Sequence, residues 1–361
     1  MSNSKTAEVQ NPKGISIPKN EIVIVSGSSG LIGTSIINEL SKRYQVIGLD
    51  NVGYPFPPIE AECVCIDINS DESMERAFAR IRYAYGNRIA SVIHLAAYYS
   101  FSEKESPLYD KITVQGTRRL LKYLQDFEVE QFLFTSSMLV YKPSKPGQKI
   151  TEDWPLEAQW GYPQSKVSTE KILHEERGPI PVLSMRVAGV YSDEGNSIPI
   201  TNQIRRIYEK QLTSYFFPGD ASHGSTFIHL DDLIAVMVKA VDKRKELPPD
   251  LILNIGEEET LSNADLQRII STEIRGTEQK MFRIPKFLAR IGAALQNLFG
   301  NHFIKPWMID LADDHLEMDS SRAGRMLDWK PRHSLGNTLP KMIAKLKAGP
   351  EKFYKENDLK K

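Results

Sequence analysis

Three residues of this chain have the types and spacing of a proton-transfer unit: Ser137, Tyr162 and Lys166. Tyr162 and Lys166 are four apart, and Pro163 suits the first turn of a helix, so one turn places phenol and ammonium on the same face. A phenol ionises near a pH of about 10, so it acts as a base near neutrality only with help. A lysine charge nearby, together with the positive ring of an oxidised nicotinamide, favours phenolate and brings the pKa toward the working range. Lys166 can also hold the nicotinamide ribose. Ser137, just beyond an apolar strand, is placed to hydrogen-bond a substrate oxygen while hydride moves. The bland alternatives are an exposed helix pair and a loop serine capping a turn. Tyr141 and Lys145 repeat the spacing, but Pro143 lies between them and Pro146 follows. That segment cannot be a regular helix, which leaves Tyr141 as a packing residue.

The unit lies downstream of a glycine turn, Ser26-Gly-Ser-Ser-Gly-Leu-Ile-Gly33. Between a strand and a helix, Gly27, Gly30 and Gly33 let the backbone reverse tightly and let a pyrophosphate approach. The N–H groups and positive dipole end of the helix starting near Leu31 and Ile32 then face the phosphates, and Ser28 and Ser29 can add hydroxyl donors. Asp50, about twenty residues on, ends the second strand, where a carboxylate accepts both ribose hydroxyls. A 2′-phosphate would meet like charge there, so NAD is favoured over NADP. Asp67 and Ile68, past the third strand, would lie near the adenine, although Asp67 can equally cap the helix after Asn69.

The elements that must position these groups follow a regular alternation. Strands are expected at 21–26, 44–50, 62–66, 91–95, 131–136, 182–187 and 251–255, with helices at 31–42, 74–85, 107–127, 163–176 and from Asp231-Asp232. Continuous apolar strands alternating with helices predict an α/β fold, a Rossmann-type doubly wound parallel sheet covered on both faces. Past Val187 the rhythm loosens. The expected organisation is a flexible tail at 1–20, an NAD-binding domain at 21–188 plus about 227–256, and a threaded C-terminal substrate cap at about 189–226 plus 257–335. A C-terminal helix and charged tail at 336–361 complete it, with the end after Lys347 read as frayed.

Composition sets limits. Lysine plus arginine equals aspartate plus glutamate at 46 each, so nothing suggests a nucleic-acid face, and the partner class is a small molecule. No stretch approaches the ~18–20 apolar residues of a membrane span, and 287–299 is broken by Arg290, Gln296 and Asn297. Cys63 and Cys65, the 2 cysteines, sit two apart on a strand; they read as buried structural thiols in a reducing cytoplasm and not as a metal site.

Together these residues resemble the extended short-chain dehydrogenase/reductase family, in its NAD-dependent epimerase/dehydratase branch. The resemblance covers about 21–335 and includes the glycine turn, Asp50, Asp67-Ile68, His94-Leu-Ala-Ala97, Thr135-Ser-Ser137, Tyr162-Pro-Gln-Ser-Lys166, Phe227-Ile-His-Leu-Asp-Asp232 and Leu327-Asp-Trp-Lys-Pro331. It implies that Ser137, Tyr162 and Lys166 are a catalytic triad and that Ala96 and Ala97 line the cofactor. It also implies a homodimer paired through helices at about 107–127 and 162–177. Three departures bear on substrate, and a fourth change stands apart from them. Family members that dehydrate sugars carry an Asp-Glu pair after the triad hydroxyl, and this chain has Met138-Leu139, which argues against dehydration. Nucleotide-sugar enzymes often place an arginine where Ser225 stands and an asparagine where Gly189 stands. Thr113 replaces a frequent asparagine. The expected function is therefore NAD-dependent hydride transfer at a secondary alcohol or ketone, as a dehydrogenase or through a keto intermediate in an epimerase. The substrate alternatives are a nucleotide sugar and an apolar steroid- or isoprenoid-like alcohol, for which the cap offers Phe282, Phe287, Leu288, Ile291, Leu298, Phe299, Phe303 and Trp307. An NAD(H)-binding sensor or scaffold is the non-enzyme alternative.

Overall fold

A computed structural model describes residues 21–51, 60–100, 103–298 and 305–359, with side chains between 294 and 298 excepted. The expected tail at 1–20 and the positions Leu298, Phe299 and Phe303 lie outside what is described. In chain order the elements are β1 (Ile22–Ser26), α1 (Leu31–Leu40), β2 (Gln45–Asp50), β3 (Glu62–Cys65), α2 (Asp71–Tyr85), β4 (Arg88–Ile89), β5 (Ser91–His94), α3 (Gln115–Leu124), β6 (Glu128–Val129), β7 (Phe132–Ser137), α4 (Gly161–Glu176) and β8 (Val182–Val187). There follow β9 (Gly189–Tyr191), α5 (Ile198–Tyr208), β10 (Phe216–Pro218), β11 (Phe227–His229), α6 (Leu230–Asp242), β12 (Asp250–Ile255), α7 (Asn263–Arg275), β13 (Phe282–Ile284), α8 (Lys286–Leu298), α9 (Pro306–Asp310), α10 (Ser321–Leu327), α11 (Leu335–Ala348) and α12 (Pro350–Glu356).

Seven strands form one parallel sheet in the order β12-β8-β7-β5-β1-β2-β3. The expected doubly wound sheet is present, and its inner strands are buried on both sides. Val23 and Val25 of β1 point into one core with Ile36, Ile37 and Leu40 of α1 and Leu233 and Met237 of α6. Ile22 and Ile24 point into the other, with Met74 and Phe78 of α2 and Leu120 and Leu124 of α3. Alternate residues thus feed two helical layers, as the period of two requires. The order reverses between β1 and its neighbours β2 and β5, and the crevice at the carboxyl ends of strands at such a switch point is where open α/β sheets bind ligands.

A third core joins Ile200, Ile204 and Ile207 of α5 with Ile270 of α7 and Leu339, Met342 and Ile343 of α11. The end of the chain belongs to it. Instead of fraying after Lys347, α12 buries Phe353 and Tyr354, and Leu359 follows them into the core. The Tyr354 hydroxyl donates to Glu209 at 2.6 Å, and Asn357 accepts from Asn196 N–H at 2.8 Å. Three apolar anchors and these bonds outweigh the charge that made the segment look like a tail.

A second expectation also needs correcting. Cys63 and Cys65 are exposed, not buried. β3 is the edge strand of the sheet, and its Val64 side packs on the core, which turns both cysteines to the open face.

Candidate active site

The glycine turn has the geometry its sequence predicts. Gly27 has φ +73°, and a Cβ there would lie 2.9 Å from the Ala96 nitrogen. At Gly33 a Cβ would meet the Gly27 oxygen at 2.2 Å, so neither position accepts alanine without moving backbone. α1 starts at Leu31 with no side-chain cap from Gly30. Ser28 is buried, and its hydroxyl has no hydrogen-bond partner. Asp50 is already fixed at the turn: its carboxylate accepts the Ser29 N–H and the Asn51 N–H, each at 2.8 Å. A close-approach cradle, an orphan hydroxyl, an uncapped helix start and a tethered carboxylate fit the pyrophosphate and adenosine ribose of a dinucleotide.

Asp67 and Ile68 sit differently. Asp67 accepts the Asn69 N–H at 2.9 Å in the turn ahead of α2, whose cap is Ser70 and not Asp67. Ile68 is buried, and a Cβ at Gly116 would touch it at 3.2 Å, so its side chain packs on α3.

His94 organises the floor beneath. It joins Ser26 (Oγ–Nδ1, 2.6 Å) and Thr117 (Nε2–Oγ1, 2.8 Å). Thr117 gives its proton to the Thr113 carbonyl at 2.5 Å, so Nε2 carries the imidazole proton and Nδ1 accepts from Ser26. Ser26 Oγ in turn accepts the Ala96 N–H at 3.4 Å. Burial, helped by the Lys166 charge, pushes His94 down to about 3, so it stays neutral. Thr113, the fourth change, ends a π-helical turn (Tyr109–Val114) together with Val114, and its hydroxyl accepts the Tyr98 N–H at 3.0 Å. Sequence reading missed this network, although His94 stood in a quoted motif.

The polar triad converges. Ser137 closes β7, and Tyr162 is the second residue of α4. The Ser137 hydroxyl accepts the Leu139 N–H at 3.2 Å, and its presence near the phenol favours the ionised form of Tyr162. Lys166 is buried and donates to the Thr135 carbonyl at 2.7 Å, with Nζ 5.6 Å from the Tyr162 ring centre. The pKa expectation differs in detail. Burial pushes Tyr162 up to about 12, with Ser137 pulling the other way, and burial pushes Lys166 down to about 7 against the attraction of Glu170. The cause is the surround: Tyr99 packs edge-on against Tyr162 at 4.8 Å, and Trp160 lies at 5.5 Å with Trp307 behind it. The protein's own residues hold the phenol protonated at neutral pH, competent as an acid. As a base it needs the further positive charge that an oxidised nicotinamide carries.

Tyr141, the decoy, is deep in the core. Its hydroxyl donates to Asn254 at 2.7 Å and accepts from Arg186 at 2.8 Å. Arg186 forms a buried pair with Glu170 at 2.7 Å.

Ser137, Tyr162 and Lys166 line one cavity of about 760 Å³ with Ala97, Met138, Leu139, Trp160 and Trp307. Its opposite elements are α5, with Asn202, Gln203 and Arg206, and the strand residues Phe216 and Phe217. Met138 and Leu139 offer no proton beside Ser137. At Gly189 a Cβ would lie 2.7 Å from the Phe227 ring, which occupies the place a longer side chain would need. Of the apolar cap residues, Trp307 lines the cavity, whereas Phe282, Phe287, Leu288 and Ile291 are exposed.

Sheet and glycine cradle define a Rossmann-type fold of the dinucleotide-binding class. Residues 23–256 match the model of the NAD dependent epimerase/dehydratase family, well over half of the chain. The chain belongs to that family. It is 28% identical over 170 residues to a UDP-glucose 4-epimerase of Schizosaccharomyces pombe, covering 43% of this chain and 46% of that one. It is 25% identical over 199 residues to a 3-beta-hydroxysteroid dehydrogenase of Mycolicibacterium neoaurum, covering 54% and 52%. The matched region thus spans about half the length of each of these relatives. A crystal structure of the UDP-glucose 4-epimerase of Thermus thermophilus in complex with NAD superposes with a TM-score of 0.69 at 19% identity, over 91% of this chain and 99% of that one. That likeness is one of fold. Among the described residues no helix is long and apolar enough to cross a membrane.

Proposed function

We propose that the chain transfers hydride at a secondary alcohol or ketone carbon of a small molecule, with Tyr162 as the acid–base residue. The observation that carries this reading is that Ser137, Tyr162 and Lys166 line one cavity, together with Ile32 from the start of α1. Bound NAD supplies the hydride acceptor, or as NADH the donor. In the reducing direction Tyr162 gives its proton to the carbonyl oxygen that Ser137 also holds. In the oxidising direction the phenol takes the hydroxyl proton. Lys166, tied to Thr135, keeps a donor near the ribose and a positive charge near the phenol whenever it is protonated. Gly27, Ser28, Ser29, Gly30, Leu31, Ile32 and Gly33 seat the pyrophosphate, Asp50 takes the adenosine ribose, Asp67 and Ile68 flank the adenine, and Ala96 and Ala97 line the nicotinamide side. We divide the chain into an NAD-binding domain at 21–188 plus about 227–256 and a substrate cap at about 189–226 plus 257–335.

Replacing Tyr162 with Phe tests this. Turnover should be lost while NAD binding, followed by fluorescence or calorimetry, is kept; a variant with undiminished activity would sink the assignment. Native mass spectrometry of the purified protein separates the two modes. NAD retained through dilution supports an epimerase, which regenerates its cofactor each cycle, and freely exchanging NAD supports a dehydrogenase.

For the substrate, Ser225, Gly189 and the apolar wall of the cavity favour an apolar alcohol or ketone, as in the steroid dehydrogenase relative, whereas the UDP-glucose 4-epimerase relatives favour the nucleotide-sugar alternative. We also propose a homodimer paired through α3 and α4, as in the resembling family. The outer faces of those helices are polar and carry the Arg118–Glu176 pair at 2.8 Å, so such a dimer would be sensitive to salt, which sedimentation at low and high ionic strength checks. We also propose a cytoplasmic location, whose reducing milieu suits the exposed cysteines Cys63 and Cys65.

A further inference from the structure

Among the described residues the buried arginines, Arg186 and Arg244, are matched to carboxylates, whereas the half-buried Arg206 faces the cavity without one. Arg186 pairs with Glu170, and Arg244 pairs with both Glu21 and Glu130 at 2.7 Å. Arg206, on the last turn of α5, is a lining residue of the cavity that holds Tyr162. Its Nε is buried and makes no hydrogen bond. Its NH2 group donates to Gln203 one turn earlier, a neutral acceptor that leaves the charge uncompensated. Among the described residues no carboxylate pairs with it, and burial and the neighbouring Arg205 charge together push Arg206 down to about 10. A guanidinium held in an apolar wall without an anion is costly, and the cost is relieved when a ligand brings the anion.

The rest of the wall describes the ligand body. Phe216, Phe217 and Pro218 of β10 and Ile270 of α7 line the same cavity, which is of the size that takes a drug-sized molecule. Asp314, the carboxylate among the described lining residues, is held by Gln159 at 3.0 Å, and burial pushes its pKa up, which weakens its repulsion of an incoming anion. Ser225 offers no second cation, so the lining cations are Arg206 and, at the reacting end, Lys166.

We propose that Arg206 is a specificity-determining residue that binds a single oxyanion, phosphate or carboxylate, on an otherwise apolar alcohol or ketone, so that the substrate is an amphiphile anchored at α5 with its carbinol end at Tyr162. The proposal rests on the hydride-transfer reading only for the reacting end, and binding alone tests it.

The test uses the full chain loaded with NAD and the neutral fluorescent probe N-phenyl-1-naphthylamine, displaced in turn by octyl phosphate, octanoate, octanol and UDP. Charge-assisted bonds to a desolvated guanidinium give at least about a 10-fold preference. Octyl phosphate or octanoate should therefore displace the probe from the wild type about 10-fold or more below the octanol concentration. Arg206→Gln should bring the anions to the octanol value with probe and octanol binding unchanged, which also shows that the cavity has formed. Arg206→Lys should recover part of the preference, and whichever anion loses more in Arg206→Gln identifies phosphate or carboxylate. Equal displacement by octyl phosphate, octanoate and octanol in the wild type, anion binding unaltered by Arg206→Gln, or UDP displacing at lower concentration than either amphiphile would each overturn the proposal. Tyr162→Phe should leave octyl phosphate binding intact, so failure of the hydride reading appears in turnover and failure of this one in displacement.

Discussion

The Lys166 ammonium, one helical turn after Tyr162, donates to the Thr135 carbonyl at 2.7 Å. Thr135 lies two residues before Ser137 on β7, so this bond ties the helix that carries the phenol to the strand that carries the serine. The same burial that fixes the lysine makes its charge expensive.

That expense has a measurable sign. Folding lowers the Lys166 pKa from its ordinary 10.5 to about 7, so between those values the unfolded chain binds more protons and wild-type stability rises with pH. Below a pH of about 7 the full penalty is present. Lys166→Met should therefore gain stability relative to wild type at pH 6 and lose that advantage by pH 10, a swing on the order of 4 kcal/mol. Urea unfolding of both proteins across this range measures it. Turnover of the variant should fall at least ~100-fold at every pH.

Asp50 gives a second prediction. Both of its oxygens are occupied by backbone donors, Ser29 N–H and Asn51 N–H, which aim the remaining lone pairs outward. Asp50→Ala removes both the ribose acceptor and the charge that repels a 2′-phosphate. NAD should bind roughly 10-fold more weakly, since one or two charge-assisted hydrogen bonds are lost. NADP should weaken less or improve, which narrows the preference; parallel titrations with the two dinucleotides show whether it does.

Much of this was legible because the controlling signals are local. Gly27 and Gly33 are required by clashes within a few residues or with the next strand end, and Tyr162 and Lys166 are related by one turn of one helix. Long-range compensation was not legible. Nothing near Tyr141 in sequence shows that Arg186 and Asn254 hold its hydroxyl, although Pro143 was enough to remove it from the site. His94 needs partners from β1 and α3 before it has a role. Arg206 sits beside Arg205 in an amphipathic helix, and adjacent arginines on such a helix cannot both face solvent equally; that was the available signal for an inward cation. Cys63 and Cys65 were misplaced because strand patterning does not say which strand is the edge, and the last turn of the chain because Phe353, Tyr354 and Leu359 are sparse among charges.

The two tyrosines should separate cleanly on mutation. Tyr141→Phe leaves Asn254 and Arg186 each short of one buried partner, which costs about 1–3 kcal/mol. Its melting temperature should drop while turnover per folded molecule stays within about 3-fold of wild type, because the phenol touches neither cavity nor cofactor seat. Tyr162→Phe should show the reverse, with an intact melting curve and lost turnover. Differential scanning calorimetry beside a turnover assay decides, and a catalytic collapse in Tyr141→Phe would mean the two phenols had been assigned the wrong way round.

His94 makes the fold sensitive to acid. In the native protein it titrates near 3 instead of its ordinary 6.5, because charging it would strand a cation among Phe132, Phe134 and Lys166. The unfolded chain takes up a proton below about 6.5, so the stability that neutral His94 contributes is complete above that pH and is lost as pH falls toward 3. His94→Gln has no proton to take up over this window. It should be less stable than wild type at pH 7.5, where the Ser26–His94–Thr117 chain is intact, and lose less on acidification to pH 4.5. Because Ser26 also receives the Ala96 N–H, loosening this chain moves the backbone against which Gly27 packs. The folded protein keeps His94 neutral until pH nears 3, so NAD affinity of the folded wild type should hold from pH 7.5 to 4.5, whereas His94→Gln, with the chain already loosened, should bind NAD more weakly than wild type at pH 7.5.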